Sequence, residues 1–133
     1  MVTYLDSGVL FAAWKSADLR PAALSVLEDT NRQFAISQMA KLELLAKPIF
    51  EKRVVERAFY QAYFEEAVAM QPLDTQLGEE AQALAEKYGL AAMDALHIAA
   101  ALRLGTEEFY TSEKPGKPMF RVKELKIISL HSI

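Results

Sequence analysis

The chain has 133 residues, 52% of them hydrophobic and 25% charged, the composition of an ordinary globular protein. Its net charge of −3 argues against a dedicated DNA-binding module, and the absence of cysteine excludes both a disulfide framework and a thiolate metal site. Only two histidines are present, His97 and His131, which is poor support for paired-histidine catalysis and turns attention to carboxylates.

Met1–Asp6 lacks the basic stretch of a signal peptide, and no apolar run reaches the ~18 residues of a membrane span. The expectation is a cytoplasmic protein with no membrane partner, folded as a single domain over 1–133. Val2–Leu5 is a short β-prone run ended by Asp6-Ser7-Gly8, and Val9–Trp14 is helical. A second helix starts near Pro21, a residue suited to a first helical turn, and turns Leu24 and Leu27 inward. Phe34–Ser37 is a second strand, and Ser37 can cap a helix from Gln38 to Lys47 that Pro48 stops. Glu51–Ala69 has helical spacing, with Phe59/Tyr63 and Tyr60/Phe64 as i,i+4 aromatic pairs, one for the core and the stripe as a whole open to a partner.

Ala69–Leu73 is strand-like, with Pro72 at its edge or end. Asp74 or Thr75 then caps an amphipathic helix with Leu77, Ala81, Leu84, Ala85 and Tyr88 inward, ended by Gly89. The stretch Tyr88–Leu102 is apolar on every side and is expected to be a buried helix stopped at Gly105. Glu108–Thr111 and Lys126–Leu130 are strands, separated by a Pro-, Gly- and Lys-containing loop over 112–118. Strands alternating with helices predict an α/β domain with a mostly parallel sheet of about five short strands, covered on both faces.

Four acids stand at telling places. Asp6 follows the first strand, where ligand sites of open parallel sheets lie, although it could equally cap the next helix. Glu43 shares an i, i+3, i+4, i+7 stripe with Met39, Leu42 and Ala46, or else pairs with Lys47 at the surface. Asp94 heads the apolar helix, either as its N-cap or as a ligand. His97, three residues on, is expected to bond its own helix or Asp94 rather than a metal. Glu113 follows the fourth strand, as a site residue or a solvated loop residue. Two carboxylates ~4 Å apart repel by about 4 kcal/mol at an effective dielectric near 20, so a cluster raises pKa values or recruits a cation. An oxygen-only set selects Mg²⁺ or Mn²⁺ over zinc, and such an ion supports phosphodiester hydrolysis.

The ordered motifs resemble the PIN domain, the fold of VapC-type ribonuclease toxins. Tyr4-Leu5-Asp6-Ser7 is similar to the family's first strand and its terminal Asp. Ser37 to Glu43 matches its Ser-x-x-x-x-x-Glu helix opening, Asp94-Ala95-Leu96-His97-Ile98-Ala99-Ala100-Ala101 its Asp-x-x-His-Ile-Ala-x-Ala helix, and Thr111-Ser112-Glu113 its Thr-x-Asp segment, with Glu in place of Asp. The resemblance implies a three-layer α/β/α fold and a Mg²⁺- or Mn²⁺-dependent endoribonuclease. Its acidic site would be Asp6, Glu43, Asp94 and Glu113, with Asp6 and Asp94 as principal metal ligands. Glu43 and Glu113 would bind a second metal or orient the attacking water. Ser7, Thr111 and Ser112 would be supporting hydroxyls, and cleavage would leave a 5′-phosphate and a 3′-hydroxyl.

Lys114, Lys117, Arg121, Lys123 and Lys126 form a local basic stretch for an RNA backbone, with Lys114, Lys117 and Arg121 nearest the acids in sequence. The resemblance also implies a homodimer and a small antitoxin partner. A second reading is a PIN-like RNA- or protein-binding module without useful catalysis. A haloacid-dehalogenase-type phosphatase needs a second acid after the first strand, and Asp6-Ser7-Gly8 lacks it. A response-regulator receiver needs an acidic pair that is likewise missing.

Overall fold

The computed structural model describes residues 1–133. Tyr4 and Leu5 are neighbours on one strand and point to opposite sides, yet both are at most 1% exposed. That is possible only where helices cover both faces of the sheet. The strand is β1 (Val2–Leu5), and it lies in the middle of a five-stranded sheet. The elements that follow are α1 (Ser7–Lys15), α2 (Arg20–Leu27), β2 (Gln33–Ser37), α3 (Gln38–Phe50), α4 (Val54–Glu66) and β3 (Ala69–Gln71). The chain continues through α5 (Thr75–Tyr88), α6 (Ala92–Arg103), β4 (Glu108–Thr111) and β5 (Lys126–Ser129).

The sheet order is β3-β2-β1-β4-β5, and all four pairings are parallel. Register is carried by pairs such as Tyr4 with Ala35 and Phe109. On one face Tyr4, Ala35 and Phe109 pack against Leu77, Ala81 and Leu84 of α5 and Ala95, Ile98 and Ala99 of α6. On the other, Leu5, Ile36 and Tyr110 meet Val9, Leu10 and Ala13 of α1, Val26 and Leu27 of α2, and Tyr60 and Phe64 of α4. The architecture is the expected three-layer α/β/α arrangement with five parallel strands.

The element boundaries differ from the sequence expectation in four places. Pro48 does not stop α3, which runs on to Phe50. Proline removes only one donor in the last turn, and Glu51 N–H still reaches Lys47 O at 2.9 Å. The break falls instead at 51–53, where Lys52 adopts a left-handed φ of 57° and Arg53 N–H returns to Pro48 O at 2.8 Å. β3 ends at Gln71, because Pro72 cannot extend the ladder. Finally, Tyr88 closes α5 and Gly89 (φ 70°) caps it, so α6 begins only at Ala92, with Ala92 and Met93 exposed.

One burial expectation also changes. Leu42 is 67% exposed, so it does not share an inward stripe with Glu43; the inward side of α3 is Met39, Ala40, Leu44 and Pro48. Of the aromatic pairs, Tyr60 and Phe64 enter the core, while Phe59 and Tyr63 flank it against Trp14. No helix is long and apolar enough to cross a membrane.

Candidate acidic site at the carboxyl ends of β1 and β4

From β1 the chain moves to β2 and β3 on one side, then returns to β4 on the other. The carboxyl ends of β1 and β4 are therefore the switch point, beyond which open α/β sheets place a ligand crevice. Asp6 follows β1 there, and its N–H donates to Tyr110 O of β4 at 3.2 Å. It occupies the N-cap position of α1 with extended backbone (φ −74°, ψ 165°), but its side chain makes no capping bond. Instead Asp6 is 8% exposed and its buried Oδ1 has no hydrogen-bond partner.

A partnerless buried carboxylate oxygen is costly in the ionised form. Burial accordingly pushes the Asp6 carboxyl up to about 6, with His97 and the Thr111 hydroxyl opposing and the Asp94 charge adding to the rise. Asp94 is the third residue of α6, half-buried, with Ala91 in the N-cap position, so it does not cap the helix. Its carboxyl is also raised, first by burial and next by the charge of Glu113, with Glu43 contributing and His97 and Lys117 opposing. Asp94 thus feels the charges of Glu113 and Glu43, and Asp6 that of Asp94.

Glu43 pairs neither with Lys47 nor with solvent alone. One third of its side chain is exposed, and Oε1 lies 2.7 Å from His97 Nε2. Burial would raise its carboxyl, but the hydrogen bond from His97, with a smaller contribution from the Ser7 hydroxyl, holds it below the ordinary carboxylate range. His97 is 3% exposed and bonds Glu43 and Tyr4, not its own helix or Asp94. The expectation failed because both partners lie on other elements. Glu113 is held through its backbone: its N–H donates to Thr111 Oγ1 at 3.1 Å and its carbonyl accepts from Ser129 Oγ at 2.6 Å.

Gly8 was not singled out from the sequence, although a glycine in the first turn of a helix is an unfavourable choice that asks for a reason. A Cβ there would stand 2.0 Å from Ser112 Oγ and 3.2 Å from Asp6 Oδ1. Glycine therefore lets the hydroxyl of Ser112 lie against α1 beside the partnerless oxygen. His131 supports the same loop, its Nε2 donating to Ser112 O at 3.1 Å. Of the basic stretch, Lys114 and Lys117 are exposed, and the charge of Lys117 reaches Asp94. Arg121 has a structural engagement: Nη1 donates to Tyr88 O at 3.1 Å, satisfying a carbonyl at the end of α5.

The donor set consists of carboxylates and hydroxyls, which suits a hard divalent cation. The partnerless Asp6 oxygen and the upward pressure on Asp6 and Asp94 are what such an ion would relieve. As the side chains stand, no three acids or histidines converge on one point. Both ring nitrogens of His97 are engaged, leaving none for coordination.

The PIN domain family model matches residues 3–114. Among solved structures the chain is similar to VapBC2 of Rickettsia felis, bound to a DNA fragment from its promoter. The identity is 16% and the TM-score 0.71, over 97% of this chain and 98% of that one. It is similar to FitAcB of Neisseria gonorrhoeae at 18% identity, TM-score 0.70, over 100% of both chains. A third is VapC20 of Mycobacterium tuberculosis, a toxin cleaving the sarcin–ricin loop, at 13% identity, TM-score 0.68, over 93% of this chain and 98% of that one. No curated protein matches the sequence.

Proposed function

Because the chain belongs to the PIN domain family, we propose that it is a Mg²⁺- or Mn²⁺-dependent endoribonuclease whose site is Asp6, Glu43, Asp94 and Glu113. The observation that carries this reading is the buried Asp6 Oδ1 without a partner, at the carboxyl end of β1 and within electrostatic reach of Asp94. Asp6 and Asp94 would hold the cation, which supplies Lewis acidity toward a phosphate oxygen and lowers the pKa of a water.

The protein's own groups have separable tasks. Glu43 stays ionised because His97 donates to it, so it can accept a proton from, or orient, the attacking water. Glu113 supplies a fourth carboxylate on a loop fixed by Thr111 and Ser129. Ser7, Thr111 and Ser112 offer hydroxyls to the acids or to a phosphate. Lys114 and Lys117 are placed to meet the RNA backbone, with Arg121 a weaker contributor because of its bond to Tyr88.

The wider reading is a toxin with a small antitoxin partner, acting as a homodimer. It rests on the family and on the likeness to toxin–antitoxin structures such as the Klebsiella pneumoniae complex. A surface for a second copy is the set Leu42, Ile49, Phe50, Val54 and Val55 on α3 and α4, each 48–86% exposed.

The deciding experiment incubates single-stranded RNA with the protein and Mn²⁺, comparing the parent, Asp6→Asn and Asp94→Asn. The parent is expected to cleave, leaving 5′-phosphate ends, and both variants to lose at least 100-fold. Since Asp94 caps nothing, Asp94→Asn should keep its urea midpoint close to the parent's. Equal cleavage by all three would overturn the site assignment. Cation-independent RNA binding without cleavage would support the binding-module reading instead.

A further inference from the structure

Tyr4 and His97 are both buried, at 0% and 3% exposure, and sit where the core meets the acidic crevice. Tyr4 Oη is 2.7 Å from His97 Nδ1, and His97 Nε2 is 2.7 Å from Glu43 Oε1. The three residues come from β1, α6 and α3, so the chain spans both ends of the helix–sheet interface that frames the crevice. With the imidazole neutral and Glu43 ionised, their donor and acceptor inventory admits one arrangement. An ionised Glu43 can only accept, so Nε2 must carry a hydrogen. In the neutral ring Nδ1 is then an acceptor, and Tyr4, whose burial holds it firmly protonated, is the hydroxyl that fills it.

We infer that Tyr4 and His97 form a positioning relay, in which the Tyr4 hydroxyl fixes His97 as its Nε2–H tautomer and that hydrogen orients Glu43 toward the cation and water. The inference rests on the proposed nuclease reading. Neither residue touches substrate in this role; each acts through Glu43. Ring packing backs the geometry, since Tyr4 stacks on Phe109 (5.2 Å between centroids) and meets His97 edge-on (5.8 Å). The phenol therefore has little rotational freedom, and its hydroxyl is delivered to one place. The bland alternative is that His97 is a core histidine whose hydrogen bonds serve only stability.

Two measurements separate these roles, both on the full chain. The first is ¹⁵N NMR of the cation-free protein, which reads the tautomer directly. The parent should show the Nε2–H form, and Tyr4→Phe should shift it to a mixture. A parent in the Nδ1–H form would overturn the relay. The second is Mn²⁺ affinity by calorimetry for His97→Gln, His97→Leu and Glu43→Gln, with His97→Leu also made in the Glu43→Gln background. Glutamine retains an N–H donor near the Nε2 position, so His97→Gln should stay within about 3-fold of the parent, whereas His97→Leu should weaken binding by 10-fold or more.

In the Glu43→Gln background, His97→Leu should change affinity by less than 2-fold, because the group it positions is gone. A loss of 10-fold in that background, or equal losses for His97→Gln and His97→Leu, would show a merely structural histidine. The readouts do not require cleavage. Failure of RNA hydrolysis by the parent would therefore count against the nuclease reading alone, while the tautomer and the coupling would still decide the relay.

Discussion

Asp6 shows what one residue in this position does to the free energy of the fold. Its carboxyl is buried and lifted from 3.8 to about 6, chiefly by desolvation. The folded state therefore holds a proton that the unfolded chain releases, and stability falls as pH rises between those values. Below 3.8 the penalty is absent, and above about 6 it is fully developed. Asp6→Asn removes the ionisation, so the cation-free variant should be more stable than the parent at pH 7 by on the order of 3 kcal/mol. Urea denaturation at pH 7 and pH 3.5 checks this, with the difference shrinking at the lower value. Mn²⁺ should reverse the order at pH 7, raising the melting temperature of the parent and leaving Asp6→Asn unchanged. That combination, a stabilised but unresponsive variant, is the signature of a carboxylate kept at a cost for its ligand.

At the scale of elements, the two ends of the sheet carry different jobs. At the amino ends, Glu108 opens β4 at 4% exposure and accepts from Arg32 Nε at 2.6 Å and Thr3 Oγ1 at 2.7 Å. Arg32 also reaches Asp29 and, at 2.9 Å, the Tyr110 hydroxyl, so one guanidinium joins the approach to β2 with β4 across β1. Arg32→Met would leave Glu108 buried without its cation and should destabilise the protein by about 3 kcal/mol. Because Thr3 of this network lies on β1 three positions before Asp6, roughly 10 Å at the usual rise, the folded variant should bind Mn²⁺ as the parent does. Calorimetry beside urea titration tests both halves. At the carboxyl ends the balance is the reverse: the buried Asp6 Oδ1 has no partner, and glycine at position 8 is accepted so that Ser112 can approach. Stability is concentrated at one end, and unsatisfied chemistry at the other.

The molecule as a whole is a parallel sheet closed by helices on both faces, and its remaining exposed apolar surface is concentrated on α3, α4 and the turn between them. Phe50 is 86% exposed, and Val54 and Val55 are each 72% exposed. Three large apolar residues so open to water over six positions are consistent with the proposed homodimer. Phe50→Glu should convert a dimer to a monomer by light scattering at micromolar concentration while leaving Mn²⁺ affinity within 2-fold, since Phe50 lies outside the acidic crevice. A parent that is already monomeric would remove the dimer from the proposal.

Much of this was legible in the chain. The alternation of short β-prone runs with helical spacing determines a covered parallel sheet, because a four-residue strand apolar on both faces has no other way to bury them. The positions of Asp6, Asp94 and Glu113 at element ends follow from the same pattern, and the lack of cysteine excludes thiolate donors. The rest depended on pairings between distant residues, which no local period encodes. Helical spacing alone placed Glu43 on a false stripe with Leu42, and nothing near His97 in sequence pointed to Tyr4, 93 positions away, or to Glu43, 54 away. Only the crossing of β1, α3 and α6 brings those three groups together, where the burial of Tyr4 and His97 gives each hydrogen bond its weight.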